Sequence, residues 1–252
     1  MTTPTRRTFN HAMLGTLAAY GLIETLFHND AFAESVKPVI KKWLSDLNAL
    51  SKDLKADRKL KDVEFQKKME ELYKRVELSE LLELLDLDRV ARTTKLPDNG
   101  ANSIGIDLSK VEGLPERLYF GKQMFGLKKG RSVVPHGHRN MCTGFIVLRG
   151  TFAGKHYDRV EEHEKHYLIK PTIDRAFKAG EFSTISDHKD NVHWFKATSD
   201  QAFIFNVHVI AYDPKIEGSS SRLYLDAEGE KVKGGLILAK KMTSRECHKK
   251  YG

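Results

Sequence analysis

His136 and His138 are the residues of this chain with the clearest capacity for chemistry. They lie one residue apart in the stretch 130–150, GRSVVPHGHRNMCTGFIVLRG, after a glycine and a short β-branched run. On a strand, alternate side chains share a face, so the two imidazoles point to the same side. Neutral imidazoles fixed that way can take two adjacent positions on a divalent transition metal. The chain carries no Ser-His-Asp pattern, no phosphate-cradling glycine loop and no dinucleotide-binding glycine pattern.

The block resembles the first motif of the cupin superfamily, G-x5-H-x-H-x3,4-E-x6-G. Gly130, His136, His138 and Gly150 stand at the motif's spacings, and Thr143 stands where most cupins place a metal-binding Glu. A second block, KAGEFSTISDHKDNVHWF at 178–195, is loosely similar to the second cupin motif, G-x5-P-x-G-x2-H-x3-N. Gly180 begins it, the Pro and the second Gly are missing, and the His falls two residues late, at His193. The resemblance implies an all-β fold, a cupin (jelly-roll) β-barrel, with His193 as the third metal ligand. His188, in the polar turn just before it, is the competitor. A three-His site without a carboxylate suits Fe(II), and copper, nickel, cobalt, manganese or zinc also fit. Three protein ligands leave room on an octahedral ion for dioxygen and a bidentate substrate. Without the Glu the site is more cationic, which favours a thiolate or an enolate. Thr143 is too weak a donor to replace the Glu and reads as a hydrogen-bonding wall residue that meets the substrate.

Within the superfamily the chain is most similar to the three-His thiol dioxygenases, the branch with cysteamine dioxygenase and the plant cysteine oxidases. Their Lys-x-Tyr-Asp stretch has a counterpart in Lys155-His156-Tyr157-Asp158, and their Gly-Asn-Ile-His segment in Asp190-Asn191-Val192-His193. This resemblance covers roughly a third of the chain, residues 130–212. It implies an Fe(II) enzyme that takes a small thiol and O2 to a sulfinate. The chain departs from the pattern in two places. Cys142 stands one residue before the Glu position, on the opposite strand face. Asn206 and His208 stand on the final strand where the plant enzymes carry an Asp. His208 is then either a base beside the metal or a core histidine. Tyr157, Arg139 and Gln123 are candidates to line the mouth and orient a substrate carboxylate or dioxygen, against a packing or solvated role for each. His156, His163 and His166 read as part of a solvated hairpin. Two other functions stay open: C–C bond cleavage in an enolate-forming substrate at a three-His centre, and non-catalytic metal or ligand binding.

Elements that would position these residues are legible around them. From 117 to 212, short apolar runs separated by turn residues predict strands: RLYFGKQMFGL, SVVPHGH, TGFIVLRGTFAGKHY, HYLIKP, FSTIS, HWFKAT and AFIFNVHVIAY. Evenly spaced short strands imply a sandwich or barrel. Leu236, Ile237 and Leu238 suggest one more. Upstream, Val39, Ile40, Trp43, Leu44, Leu47, Leu50 and Leu54 recur at helical spacing, as do Phe65, Met69, Leu72 and Val76. A third short helix is expected over 80–87. These apolar stripes dock on the barrel or pair with a second subunit, which leaves a homodimer open. Residues 93–113 read as loop, and the basic tail KKMTSRECHKKYG as a solvated terminus.

The first residues read as an address. Arg6-Arg7 precede an apolar stretch too short to span a bilayer, and Ala31-Phe32-Ala33 offers a cleavage site. The pair resembles a twin-arginine export signal. The expected organisation is a signal peptide over 1–33, a helical extension over 34–95 and a barrel domain over 96–252. The mature protein would be periplasmic or otherwise exported, without a stable membrane anchor. Net charge is +8 over 252 residues, with Lys and Arg interleaved with Asp and Glu. That pattern argues for a solvated basic surface and against a nucleic-acid site. The expected partners are a small-molecule substrate and O2. Two cysteines, Cys142 and Cys247, do not make a disulfide framework.

Overall fold

A computed structural model describes residues 38–109, 111–216 and 222–252. The expected export signal lies outside them. Helix α1 (Pro38–Lys55) opens the described chain, followed by α2 (Asp62–Tyr73), α3 (Leu78–Leu84) and α4 (Leu87–Thr93). Strands β1 (Asn102–Gly105), β2 (Gly121–Lys128), β3 (Ser132–Gly137), β4 (Met141–Arg149), β5 (Thr151–Glu162), β6 (His166–Lys178), β7 (Phe182–Ile185), β8 (Val192–Ala197) and β9 (Gln201–Ile210) come next. The short β10 (Leu223–Tyr224), β11 (Glu230–Val232) and β12 (Leu236–Lys240) precede the last helix, α5 (Ser244–Tyr251).

The strands form two antiparallel sheets, in the orders β1-β2-β9-β4-β7 and β10-β3-β8-β5-β6-β12-β11. The pairs β2·β9, β3·β8, β4·β7 and β5·β6 run outside-in, so residues 121–162 and the return strands over 166–210 make one long hairpin. That ribbon coils on itself, and β9 meets β4 while β8 meets β5. This is the winding of a jelly roll, the architecture used by cupins among others. Gly130 and Gly150, the first and last residues of the histidine block, turn the chain at φ +80° and +76°, where an L side chain would be strained.

Each sheet has an inner and an outer face, and residue alternation sorts them. On β9, Phe203, Phe205, Val207 and Val209 join the helices in one buried cluster. Ala202 and Ile204 face the barrel interior instead, with Phe125, Phe145, Phe152, Phe177 and Phe195. The helices thus dock on the outer face of the first sheet. Trp43 on α1 donates its Nε1–H to the Leu72 carbonyl (3.0 Å), and the Ile40 N–H is capped by Glu80 of α3 (2.8 Å). Gly144 lets α2 approach β4: a Cβ there would lie 2.6 Å from Met69 Sδ and 2.8 Å from Tyr73 Oη.

Two expectations are corrected. Residues 93–113 are not all loop: α4 ends at Thr93, and β1 pairs with β2 from Asn102 to Gly105. The basic tail is not a solvated terminus but helix α5. Thr243 and Glu246 form a reciprocal capping box at its start. Cys247 and Tyr251, one turn apart on one face, are buried against the outer face of the second sheet, with the Tyr251 ring 5.0 Å from Trp194. Both cysteines are buried and free. They sit in different clusters, Cys142 beneath the N-terminal helices and Cys247 on the buried face of α5. Among the described residues no helix is long and apolar enough to cross a membrane.

Candidate metal centre

Three elements bring the candidate histidines together. His136 on β3 lies directly opposite His193 on β8, and His193 lies opposite His156 on β5, so these three share the inner face of the second sheet. His138 follows just past the end of β3. One ring nitrogen each from His136, His138 and His193 falls within a set whose members all lie within 4.8 Å of one another, and all three residues are buried. Ring centroids are 4.3 Å apart for His136–His193, 4.8 Å for His136–His138 and 5.2 Å for His138–His193.

The backbone around the rings is held by polar residues of the second motif block, of β5 and of α2. Asn191 donates to the His138 and Ser186 carbonyls (2.9 and 3.2 Å) and accepts from the His138 N–H (3.3 Å). Asp158 accepts the Asp190 N–H at 2.8 Å, so the Lys-x-Tyr-Asp stretch fastens the turn that leads into His193. Gln66 of α2 donates to the Thr184 carbonyl and to Asp190 (3.0 and 3.3 Å), tying the helical extension to the same turn. His188, the competitor for third ligand, points elsewhere: its Nδ1 pairs with Asp62 at 2.8 Å.

The protonation chemistry suits a metal. The Nδ1–H of His136 donates to the Val134 carbonyl at 2.7 Å, which frees Nε2 as a lone pair. His193 Nδ1 lies 3.5 Å from the Asn191 carbonyl in the same sense. His138 Nδ1 is buried with no partner among the described residues. A buried nitrogen left alone is costly unless something binds it. Burial holds all three imidazoles neutral: His136 and His193 fall well below the ordinary range and His138 to about 3. Three neutral imidazoles with free lone pairs and no carboxylate are the donor set of a transition metal.

The triad forms the floor of a cavity of about 210 Å3. Phe125, Val133, Met141, Phe145 and Ile210 supply apolar wall, and Gln123, Thr143, Asn206, His208 and Arg222 supply polar groups. Of the expected site residues, Gln123, Thr143 and His208 line this cavity. Tyr157 does not: it is buried in the outer-face cluster with Val134, Val192 and Trp194, where burial raises its hydroxyl to about 12. Arg139 is not on the lining either and pairs with Glu162 at 2.7 Å. His156 is not part of a solvated hairpin, since it is fully buried with Ser183 Oγ 3.2 Å from its Nε2. His163 and His166 do stack near the β5–β6 turn. Sequence reading missed Arg222, which follows a polar segment without any motif.

Thr143 and Asn206 set the state of His208. Thr143 Oγ1 lies 2.7 Å from both the Val207 carbonyl and the Asn206 side-chain oxygen, and the other end of that amide lies 3.3 Å from His208 Nδ1. The amide nitrogen facing His208 puts the imidazole proton on Nε2, and the amide oxygen there puts it on Nδ1. Burial, then the nearby Arg222 and Lys55, lowers His208 to about 4, so the ring is neutral. The ring lies against Gly121, its cross-strand partner: a Cβ there would fall 2.1 Å from Nε2. Gly121→Ala is therefore expected to push the His208 ring from its place and cost about 1–3 kcal/mol of stability. Imidazole NMR signals check this. A His208 signal unchanged in the variant would refute it.

Comparison with known proteins adds little. No protein-family model matches the chain, and no curated protein matches it in sequence. Solved structures similar in part include an oxalate oxidase in complex with the substrate analogue glycolate (17% identity, TM-score 0.35, 46% of this chain and 56% of that one). Others are procruciferin, an 11S globulin from Brassica napus (12%, TM-score 0.36, 55% and 30%), and an uncharacterized conserved protein with a double-stranded beta-helix domain from Klebsiella pneumoniae (11%, TM-score 0.34, 48% and 80%). The chain spans a little over half the length of the oxalate oxidase. Likeness at this level adds nothing to what the strand order and the triad show.

Proposed function

We propose that this chain is a metal-dependent cupin in which His136, His138 and His193 hold iron(II), and that it oxidises a small anionic thiol with O2. The observation that carries the reading is the triad itself: three buried, neutral imidazoles gathered at the floor of a small cavity, one with an orphaned nitrogen. Iron held there supplies redox and Lewis-acid chemistry toward O2 and a bidentate substrate. The overall reaction is RS⁻ + O2 → RSO2⁻, with both oxygen atoms ending on sulfur.

The chain's own residues supply orientation and dryness. Phe125, Phe145, Val133 and Met141 keep bulk water from the triad. Thr143 stands where a fourth, anionic ligand would sit in most cupins and spends its hydroxyl on backbone and amide instead. The donor set therefore stays neutral, and a divalent ion there keeps its full charge for an anionic substrate. His208, neutral and on the cavity lining, carries one imidazole proton, on Nε2 or on Nδ1 according to which end of the Asn206 amide it meets. The proposal extends to location: a twin-arginine signal over 1–33 would deliver the protein folded, with its metal in place.

The test is metal analysis of protein purified from its native compartment, followed by O2 uptake with small thiols and with enols. About one iron per chain and thiol-dependent O2 uptake with sulfinate as product are expected. Uptake with enols alone would move the reading to C–C cleavage, and no uptake with either would leave a binding protein.

A further inference from the structure

We propose that helix α2 is a positioning element of the metal centre: Asp62, Gln66 and Glu70 fix the turn between β7 and β8, and that turn sets two of the three histidines. The inference rests on the metal-centre reading above.

Asp62, Gln66 and Glu70 follow one another at intervals of four along α2, so they share one face. Each reaches the same short stretch, residues 184–190. Asp62 accepts the His188 backbone N–H at 3.1 Å, a contact that does not depend on the side chain at 188. Gln66 donates to the Thr184 carbonyl at 3.0 Å and to Asp190 at 3.3 Å. Glu70 accepts from the Thr184 hydroxyl at 3.0 Å, and Lys189 Nζ lies 3.7 Å from its carboxylate. Gln66 is 1% exposed, and its Oε1 is buried with no partner among the described residues. A position that served packing alone would gain nothing from an amide that strands its oxygen. The N–H groups are what Gln66 contributes.

Asp190 is where this hold matters. Its backbone is left-handed, at φ +55°, a conformation that costs an L residue and that glycine adopts freely. The Gly-Asn-Ile-His segment that this stretch resembles has glycine there. This chain has Asp190 and holds it from two sides: the N–H donates to Asp158 at 2.8 Å, and the carboxylate receives Gln66. A strained conformation persists where its surroundings over-determine it.

Asn191 carries the hold to the ligands. Its side chain donates to the His138 carbonyl at 2.9 Å and accepts the His138 N–H at 3.3 Å, gripping that residue's backbone on both sides. Gly137 makes the grip possible, since a Cβ there would lie 2.5 Å from Asn191 Oδ1. The Asn191 carbonyl lies 3.5 Å from Nδ1 of His193, two residues on. A shift of this turn therefore moves His138 and His193 together. His136 is held within its own strand, by Val134. Coupling of this kind is reciprocal: a helix that favours the ligand-competent turn is itself held more firmly once metal is bound.

The experiment loads the full protein with Co(II) alone and follows cobalt release to EDTA and the visible absorption bands. The proteins are wild type, Gln66→Met, and Gln66→Met combined with Asp190→Gly. Methionine keeps the volume and loses the amide. Gln66→Met is expected to release cobalt about 10-fold faster than wild type, the low end of what loss of a ligand-orienting partner costs in affinity, with altered bands. Asp190→Gly should restore most of that loss, because glycine needs no hold at φ +55° and leaves no carboxylate unpaired. A merely structural Gln66 would lower thermal stability without moving the bands, and the added glycine would not bring them back. Hydrogen exchange on wild type gives a second reading: α2 amides should exchange more slowly with cobalt than without. Release and bands equal to wild type in a folded Gln66→Met overturn the inference and leave the metal centre standing. If that variant does not fold, the exchange decides, and cobalt-independent exchange in α2 overturns the inference. Wild type that takes up no cobalt overturns the metal reading and this inference together.

Discussion

Metal-free protein is expected to lose a large share of its stability between pH 6.5 and pH 5, and its buried histidines are the cause. His136, His138, His156 and His193 are all buried and neutral in the fold, with burial the dominant cause in each; His138 and His156 fall to about 3. In the unfolded chain each would take a proton near pH 6.5. Folded pKa values below the unfolded ones mean that the unfolded state binds more protons as pH falls. The stability these groups permit is therefore fully present above pH 6.5 and is lost progressively below it. Each such histidine costs about 1.4 kcal/mol per pH unit, so His138 and His156 together cost on the order of 4 kcal/mol at pH 5, and His136 and His193 act in the same direction. That is a large share of the stability of an ordinary domain, about 5–15 kcal/mol. Asp187 opposes the trend weakly, because burial raises its carboxyl and lets the fold gain a proton in acid. Urea melts at pH 7.5, 6 and 5 measure the slope. His156→Gln, which lies outside the triad and keeps a polar group beside Ser183, should reduce it by close to one proton. Equal slopes in wild type and variant would show that His156 takes up a proton within the fold.

His193→Ala is expected to abolish tight metal binding, while His188→Ala leaves it intact. Loss of a partner that merely orients a ligand lowers metal affinity about 10–100-fold, and loss of one of three ligands should exceed that. The two histidines are close in sequence, and either suits the third-ligand position by spacing alone. The fold separates them: His193 points inward between His136 and Phe145, and His188 points out to Asp62 on α2. His193 is also a packing hub, so its removal should cost about 2 kcal/mol on top of the lost metal. Metal per chain after dialysis against a chelator separates the two effects, with His193→Gln as the variant closest in volume. Retained metal in His193→Ala and lost metal in His188→Ala would reverse the assignment.

Local patterns in the chain specify the barrel strands and most of the helical extension. They do so because each signal lies within one element. The alternation Phe203, Phe205, Val207, Val209 is a property of one strand, and the stripe Ile40, Trp43, Leu44, Leu47 of one helix. The spacing of His136 and His138 likewise placed two imidazoles together with no knowledge of the rest. Helix α5 was legible in principle, from Thr243 and Glu246 at capping-box spacing. Its apolar content is only Cys247 and Tyr251, too thin a stripe to stand out from a basic tail.

Which groups share the cavity depends on the closed fold as a whole. His193 reaches His136 across the β3–β8 pairing, and Asn206 and His208 enter from the opposite sheet. Tyr157 and His156 are neighbours in sequence, and the fold reverses the roles their motif suggests: the tyrosine packs on the outer face and the histidine points inward beside His193. Strand alternation sends adjacent residues to opposite faces, but which face is inner depends on how the two sheets close. Arg222 could not be read at all. It belongs to no periodic segment, and it reaches the mouth only because β10 returns the chain to the edge of β3, where Tyr224 pairs with His136. Contacts between residues far apart in sequence depend on sheet closure, and no local pattern in the chain encodes that.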